Sequence, residues 1–177
     1  MFIQDGGLTI RLLTRKDRDL LVKWLSNPVL LAFYEGRDNP HDLSKVNEKF
    51  YSGKDDTTRG IIEYGGEKIG YVQFYQLDMA TRKKYGCGNE EIIYGMDQFI
   101  GETDYWDKGI GQLLVGTMVH FLISRKYAQK ITLDPRVTNR RAVNCYEKCG
   151  FEKVKILPEH EYHEGEYHDC WLMEYNA

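Results

Sequence analysis

The sequence of 177 residues is long enough to bury a core, and 42% hydrophobic with 29% charged residues excludes a disordered chain. A formal charge of −3, from 27 acidic and 24 basic residues, argues against a general nucleic-acid surface, so no nucleic-acid partner is expected. No apolar run approaches the roughly 20 residues that span a bilayer. The first residues also lack the basic start and apolar core of a signal peptide. We therefore expect a cytoplasmic protein without a membrane partner.

Hydrophobic periodicity and turn residues predict the elements in chain order. Alternating apolar residues indicate strands, and apolar residues three or four apart, between capping and breaking residues, indicate helices. The polar, glycine-containing residues 78–89 show neither period and are expected to be the least structured part. The predicted order is a strand at 8–12, a helix from the capping-box pair Thr14 and Asp17 to Pro28, an aromatic loop at 33–38, a helix after Pro40, a hairpin of strands 60–64 and 68–75 joined at Gly65-Gly66, a strand at 91–99, a helix at 109–125, a strand at 130–133, a helix at 139–148, and strands at 151–157 and 170–175.

This order predicts an α/β or α+β fold, in which a mixed central sheet is flanked by helices. The sequence contains no repeat, no low-complexity tract and no linker. We therefore expect a single domain over residues 1–177.

Residues 108–111 form a glycine turn that leads into an apolar helix. A helix N-terminus presents free backbone N–H groups and a positive dipole end, so this turn suits an anion such as a phosphate. It is not a nucleotide P-loop, because lysine precedes Gly109 and no Ser or Thr follows. It is not a dinucleotide fingerprint either, because Leu114 occupies the third glycine position. On the turn alone, ordinary packing of two glycines at a helix start stays an alternative.

A later helix carries a second motif, Asn139-x-x-Ala142-x-x-x-Tyr146-x-x-x-Gly150-Phe151. Together with the turn, it resembles the GNAT acetyltransferases, in which such a turn holds the pyrophosphate of acetyl-CoA. The sequence segments GMDQFIG (95–101), YWDKGIG (105–111) and LPEHEYHEG (157–165) are similar to segments of the aminoglycoside 6′-N-acetyltransferases. That group includes the acetyltransferase half of the bifunctional acetyltransferase–phosphotransferase resistance enzymes. Trp106 departs from the GNAT turn, which has Gln or Arg at this position.

The resemblance implies a GNAT fold and an enzyme that moves acetyl from acetyl-CoA, its cosubstrate, to the 6′-amine of a polycationic aminoglycoside. No metal is expected, and many relatives are monomers or homodimers. Asp97 is implied as general base, because an ammonium must lose a proton before it attacks a thioester. Tyr146 is implied either to protonate the departing CoA thiolate or to hold its sulfur. From the residues alone, turn-capping roles for Asp97 and Asp134 and a packing role for Tyr146 stay open.

The same resemblance assigns the residues around the two substrates. A backbone N–H near Phe99 or Ile100 is expected to stabilise the oxyanion, the amides of 108–112 the pyrophosphate, and Asn139 the pantetheine. The expected cofactor-binding residues are Phe99, Ile100, Lys108, Gly109, Ile110, Gly111, Gln112, Asn139, Ala142 and Tyr146. The expected substrate-binding residues are Tyr34, Glu35, Asp38, Gln73, Tyr94, Asp97 and Asp134.

Two other functions stay open on the sequence. One is a GNAT enzyme that acts on a protein amine or a polyamine, and the other is a non-catalytic acetyl-CoA-binding module. The pair Asp97 and Tyr146 argues against the binding module. The histidines at 160 and 163 lack the spacing of a zinc motif, so their hairpin is expected to be solvated or to face the substrate. The four cysteines are expected to be free thiols.

Overall fold

In residues 2–88 and 90–177, which the computed structural model describes, the chain forms eight strands and six α-helices. The strands are β1 (Phe2–Asp5), β2 (Leu8–Leu12), β3 (Thr58–Tyr64), β4 (Glu67–Gln76), β5 (Ile93–Ile100), β6 (Lys130–Leu133), β7 (Glu152–His163) and β8 (Glu166–Asn176). The helices are α1 (Arg18–Trp24), α2 (Pro28–Leu31), α3 (Leu43–Tyr51), α4 (Met79–Tyr85), α5 (Ile110–Lys126) and α6 (Arg140–Lys148).

The strands form one sheet in the order β1-β2-β3-β4-β5-β6-β8-β7. Neighbouring strands are antiparallel except β5 and β6, which are parallel. The fold class predicted from the sequence, a mixed sheet flanked by helices, is therefore confirmed. None of the helices in the described residues has both the length and the apolar character to cross a membrane.

Separate apolar clusters cover the two faces of the sheet. One contains Met118 of α5 and Val143 of α6 with Met96 of β5. The other contains Trp24 of α1 and Phe50 of α3, together with Tyr71 of β4 and Phe99 of β5. Because successive side chains of a strand point to opposite faces, Asp97 lies on the same side of β5 as Phe99, and Gln98 lies on the opposite side.

The parallel pair β5 and β6 separates after a short contact. Only Ile93, Tyr94 and Gly95 pair with β6, which ends at Leu133, while β5 continues to Ile100. On its other edge β5 stays paired with β4 up to Ile100. The sheet therefore opens between residues 96–100 and the end of β6, and the backbone groups that face this gap have no neighbouring strand.

One prediction about local structure is wrong. Within residues 78–88 the chain forms α4 instead of an unstructured stretch, and Asn89, the last residue of that stretch, lies outside the described residues. The side chain of Asp78 caps the helix by accepting from the Thr81 N–H, and Gly86 ends it in the left-handed conformation. The missed signal is therefore an Asp cap and a Gly terminus around a helix of seven residues, too short to show a clear period.

Other differences concern short elements and ends. β1 was not predicted, because only Ile3 of its four residues is even partly buried. Pro28, expected to end a helix, is instead the first residue of α2, where proline fits well because the lost N–H needs no partner. β7 and β8 are also longer than predicted, since they pair up to the turn between His163 and Glu166.

Candidate active site

Two cavities meet where β5 and β6 separate. The first has a volume of about 520 Å³ and is lined by Asp97, Asp134 and Glu35, among others. The second has a volume of about 430 Å³ and extends along the start of α5 and the side of α6. Six residues line both cavities, which places them at the junction: Phe33, Tyr34, Gln98, Asn139, Ala142 and Tyr146.

Asp97 is held in the first cavity by a neighbour on β4. Gln73, its partner in the sheet register, donates from Nε2 to Asp97 Oδ2 at 2.7 Å, and Tyr71 in turn donates to Gln73 Oε1 at 2.7 Å. Burial, with a smaller contribution from the charge of Asp134, raises the pKa of Asp97 to about 6 although the hydrogen bonds oppose the change. A carboxylate with this pKa is deprotonated at neutral pH and still basic enough to accept a proton.

Asp134 follows β6 and is held by donors from α4 and β7. Tyr85 donates to Oδ2 at 3.0 Å, and His160 Nε2 lies 2.7 Å from the same oxygen. Lys84 Nζ lies 2.6 Å from the other ring nitrogen of His160. An ammonium group only donates hydrogen bonds, so Nδ1 of His160 accepts from Lys84. The ring hydrogen therefore lies on Nε2, which donates a hydrogen bond to Asp134 Oδ2. Burial alone would raise the pKa of Asp134, but these donors outweigh it and hold the pKa below its usual value.

Two further carboxylates, Glu35 and Glu161, line the first cavity. Glu35 has φ 72°, a left-handed conformation that costs a non-glycine residue energy, and it pairs with Lys49. Glu161 lies 3.6 Å from Arg136 Nε, and burial raises its pKa. The cavity thus brings four carboxylates together, with two of them paired to cations.

Tyr34 and Tyr146 form part of the junction between the cavities. The Tyr34 ring packs on Phe99 at 4.8 Å, and burial raises the pKa of its hydroxyl. Gln98 Nε2 donates to the Tyr146 hydroxyl oxygen at 2.8 Å. Burial also raises the pKa of Tyr146, so both hydroxyls keep their protons at neutral pH.

The second cavity begins at the glycine turn. Gly109 caps α5 with φ 78°, in the left-handed region, and contributes no side chain to the N-terminal N–H groups. The N–H groups of Ile110, Gly111 and Gln112 have no partner within the helix, because the first intrahelical bond comes from Leu113 to Gly109 at 3.1 Å. They are therefore available to an anion.

Trp106 has a structural contact that accounts for its place in the turn. Its Nε1 donates to the Ile100 carbonyl oxygen at 2.7 Å. The Arg141 guanidinium lies 3.8 Å from its ring centroid, and Phe33 contacts the same ring edge-on at 5.8 Å. The position that holds a polar residue in the GNAT turn therefore joins the end of β5, α6 and the loop after α2.

The structure brings most of the predicted site residues to these cavities. Lining one or both are Tyr34, Glu35, Gln73, Asp97, Phe99, Ile100, Gly109, Gly111, Gln112, Asp134, Asn139, Ala142 and Tyr146. Asn139 also caps α6 by accepting from the Ala142 N–H at 3.3 Å.

Four predicted residues line neither cavity. Asp38 is exposed. Tyr94 packs against the apolar cluster on the α5 side of the sheet, and its ring centroid lies 6.0 Å from that of Phe74. Ile110 is buried in the same cluster, and the exposed Lys108 extends over Tyr105. At these last two positions only the backbone remains a candidate for binding.

Sequence reasoning missed several residues that support the site. Gln98 was part of a quoted word but received no role. His160 was placed in a hairpin expected to be solvated or substrate-facing, and it lines the first cavity. Lys84 and Tyr85 lie in the segment expected to be the least structured part, so no role was predicted for them. Among the described residues no group of three or more His, Cys, Asp or Glu is arranged to hold a metal ion.

These features define a class of site, one that suits an anionic group at a helix N-terminus and a cationic group among carboxylates. Comparisons with known proteins agree. The acetyltransferase (GNAT) domain family matches residues 14–158. An aminoglycoside N(6′)-acetyltransferase type 1 from Klebsiella pneumoniae is 32% identical over 155 residues, which cover 84% of this chain and 76% of the relative.

Solved structures extend the similarity to the fold. The aminoglycoside acetyltransferase AAC(6′)-Ib, solved with ribostamycin and coenzyme A, superposes with a TM-score of 0.79 at 28% identity, over 97% of this chain and 94% of that chain. A spermidine N-acetyltransferase from Vibrio cholerae reaches a TM-score of 0.78 at 21% identity, which shows the shared fold alone. This chain belongs to the GNAT acetyltransferase family and, within it, is an enzyme related to the aminoglycoside 6′-N-acetyltransferases, as its sequence words predicted.

Proposed function

We propose that this protein transfers the acetyl group of acetyl-CoA to the 6′-amine of an aminoglycoside. The observation that carries this proposal is Asp97, a carboxylate with a pKa of about 6 in an acidic cavity that adjoins the cavity at the start of α5. Carboxylates that share a cavity add their fields and favour a substrate with several ammonium groups. The names of the relatives support the same substrate class.

Acetyl-CoA is the second substrate in this proposal, and the second cavity suits it. The unpaired N–H groups at the start of α5 suit the pyrophosphate, and the side chains of Arg141 and Lys148 add positive charge to the lining. A side chain at Gly109 would project into open space, so the backbone itself is what the turn presents there. The open gap beside residues 96–100 offers backbone N–H groups near Phe99 and Ile100 for the oxyanion.

The reaction follows from these placements. Asp97 takes a proton from the 6′-ammonium, directly or through water, and the neutral amine attacks the thioester carbonyl carbon. The new N–C bond forms as the carbonyl electrons move to oxygen. When the carbonyl reforms, the C–S bond breaks and its electron pair stays on sulfur. Tyr146 donates its hydroxyl hydrogen to this thiolate, and the amide nitrogen loses its remaining extra proton to solvent.

The other carboxylates of the first cavity bind the remaining ammonium groups in this proposal. Asp134 is the strongest candidate, because Tyr85 and His160 both donate to Oδ2 and so fix the carboxylate. Glu35 and Glu161 lie farther along the lining, each beside a basic side chain. A substrate ammonium must compete with Lys49 for Glu35, so we expect a smaller contribution from that residue.

A polyamine or a protein amine is the rival acceptor. The acidic cavity suits a linear polyamine as well as an amino sugar, and an N-alpha-acetyltransferase from Sulfurisphaera tokodaii is 30% identical over 122 residues, 64% of this chain. A volume of about 520 Å³ gives room for a multi-ring acceptor. A module that only binds acetyl-CoA is disfavoured because Asp97 lines the first cavity and Tyr146 lies at its junction with the second.

Thiol release from acetyl-CoA tests the proposal. The purified protein is mixed with acetyl-CoA and, in separate reactions, kanamycin, spermidine or a peptide with a free N-terminus, and CoA is followed with a thiol reagent. We expect the highest kcat/KM with kanamycin, and NMR of the product should place the acetyl group on the 6′-nitrogen. A higher kcat/KM for spermidine or the peptide overturns the substrate assignment. Release that no amine accelerates overturns the proposed activity.

A further inference from the structure

Among the junction residues that the structure describes, Gln98 has a fully buried side-chain atom without a hydrogen-bond partner. Its Nε2 donates to the Tyr146 hydroxyl at 2.8 Å, whereas its Oε1 is buried and has no hydrogen-bond partner among the described residues. A buried carbonyl oxygen without a donor is costly, and such atoms are rare outside functional sites. Gln98 lines both cavities, so its side chain lies where the two substrates of the proposed reaction meet.

The Gln98–Tyr146 hydrogen bond has a direction with chemical consequences. Nε2 is a donor, so the phenol oxygen of Tyr146 accepts and its own hydrogen stays available to another acceptor. The same donated hydrogen bond stabilises the phenolate that remains if Tyr146 gives up its proton. Both effects favour donation from Tyr146 to an anion at the junction.

We propose that Gln98 is a positioning residue of acetyl transfer: its amide N–H directs the Tyr146 hydroxyl hydrogen to the departing thiolate. This inference rests on the proposed function and names a residue that the function alone does not require. As the C–S bond breaks, the electron pair goes to sulfur, the phenol hydrogen follows it, and the phenolate recovers a proton from solvent. Asp97 and Gln98, adjacent on β5, thus act from opposite faces of the strand.

Two substitutions test this role. Gln98→Met keeps an unbranched side chain of similar length and removes the hydrogen bond to Tyr146. Gln98→Glu keeps the shape but places a carboxylate beside Tyr146, which accepts the hydroxyl hydrogen and withdraws it from sulfur. We expect the single-turnover rate to fall about tenfold for Gln98→Met, the size of one lost hydrogen bond, and further for Gln98→Glu.

The matched control is Gln76→Met. Gln76 is an exposed residue of β4 that donates to a tyrosine hydroxyl, that of Tyr94, at 3.4 Å, and it lines neither cavity. Its substitution removes the same kind of contact outside the site. We expect its single-turnover rate and both KM values to match those of the unmodified protein.

A double-mutant cycle with Tyr146→Phe identifies the path of the effect. If Gln98 acts through the Tyr146 hydroxyl, Gln98→Met should cost less than about twofold in rate once that hydroxyl is absent. Equal losses in both backgrounds, or a Tyr146→Phe variant with an unchanged rate, overturn the role of the amide N–H. A Gln98→Glu variant that is faster than Gln98→Met overturns it as well.

The KM values separate positioning from binding. Because Gln98 acts on the Tyr146 hydroxyl and not on a substrate, both KM values of Gln98→Met should stay within about twofold of those of the unmodified protein. A rise in either KM as large as the fall in rate overturns the positioning role. Melting curves confirm that each variant is folded. If the unmodified protein transfers no acetyl, the proposed function fails before this inference is tested.

Discussion

The two cavities are built in different ways. The first takes its carboxylates from the loop after α2, from β5, from the end of β6 and from β7, and tertiary contacts hold each of them. The second depends on a glycine turn and the first residues of two helices, in which local backbone geometry is decisive. We infer that the chemistry of the acceptor amine depends on charged side chains and their neighbours. Binding of acetyl-CoA, in contrast, depends mainly on backbone shape.

Replacing Asp97 should have the largest effect. Asp97→Asn removes the proposed base and should lower kcat by 10²- to 10⁴-fold, the usual contribution of general base catalysis, with little change in the KM for acetyl-CoA. Because burial disfavours the carboxylate, the variant should also be more stable at neutral pH, by up to about 3 kcal/mol for a pKa raised from 3.8 to about 6. Kinetics and thermal melting measure both.

The control for this substitution is Asp56→Asn. Asp56 is an exposed aspartate between α3 and β3 and lines neither cavity. It should change neither kcat nor the melting temperature. Near-normal turnover in Asp97→Asn would remove the assignment of a base and would leave the first cavity as a binding site only.

The pH dependence of kcat/KM should report the protonation of Asp97. Asp97 must be deprotonated to act, so kcat/KM should fall about tenfold per unit as pH drops below about 6. The pKa in the folded protein lies above that of the unfolded chain, so the stability that Asp97 contributes at low pH is lost as pH rises through about 6. The stability difference between Asp97→Asn and the unmodified protein should therefore disappear below about pH 4. A flat kcat/KM profile between pH 5 and 7 would contradict this role.

Weakening the support of Asp134 should have an intermediate effect. His160→Phe removes the donor at 2.7 Å from Oδ2 and should raise the KM for the aminoglycoside about tenfold, leaving the KM for acetyl-CoA unchanged. Lys84→Met, which removes only the contact to His160, should act in the same direction but less strongly. Steady-state kinetics with each substrate varied in turn measure this. An equal rise in both KM values would mean that the two cavities are not independent.

A substitution in the glycine turn should have the smallest effect. In Gly109→Ala the new Cβ meets no atom within 4 Å, so the cost is the left-handed backbone at φ 78° and not a clash. That strain is on the order of 1 kcal/mol, which predicts a few-fold rise in the KM for acetyl-CoA and a slightly lower melting temperature. Gly116→Ala, which also meets no atom within 4 Å but lies inside α5, serves as control and should leave that KM unchanged.

The difference between the cavities also explains what the sequence predicts well. The turn at Gly109 and the helix that begins at Asn139 depend on residues close together in the chain, so their spacing was readable and the structure places both at the second cavity. Asp97 was predicted from the resemblance of its segment to a known family. Its contact with Gln73 could not be read from the chain, since strand pairing decides it.

The rest of the first cavity could not be read from the chain. Tyr85 and Asp134 are 49 positions apart, and Lys84 and His160 are 76 apart, so only the folded sheet brings them together. Residues 78–89 were expected to be the least structured part, so no role was predicted for Lys84 or Tyr85. Asp38 and Tyr94 line neither cavity for a different reason. Asp38 is an exposed loop residue, and Tyr94 lies where β5 is still paired with β6, before the sheet opens.

Trp106 has a further consequence, for spectroscopy. It lies in the lining of the second cavity between Arg141 and Phe33, whereas the other two tryptophans, Trp24 and Trp171, line neither cavity. Indole emission responds to the polarity and the charges around the ring, so a ligand that enters beside Trp106 should change the intrinsic fluorescence. The protein therefore carries an intrinsic fluorescent probe that reports, without a label, when the second cavity is occupied.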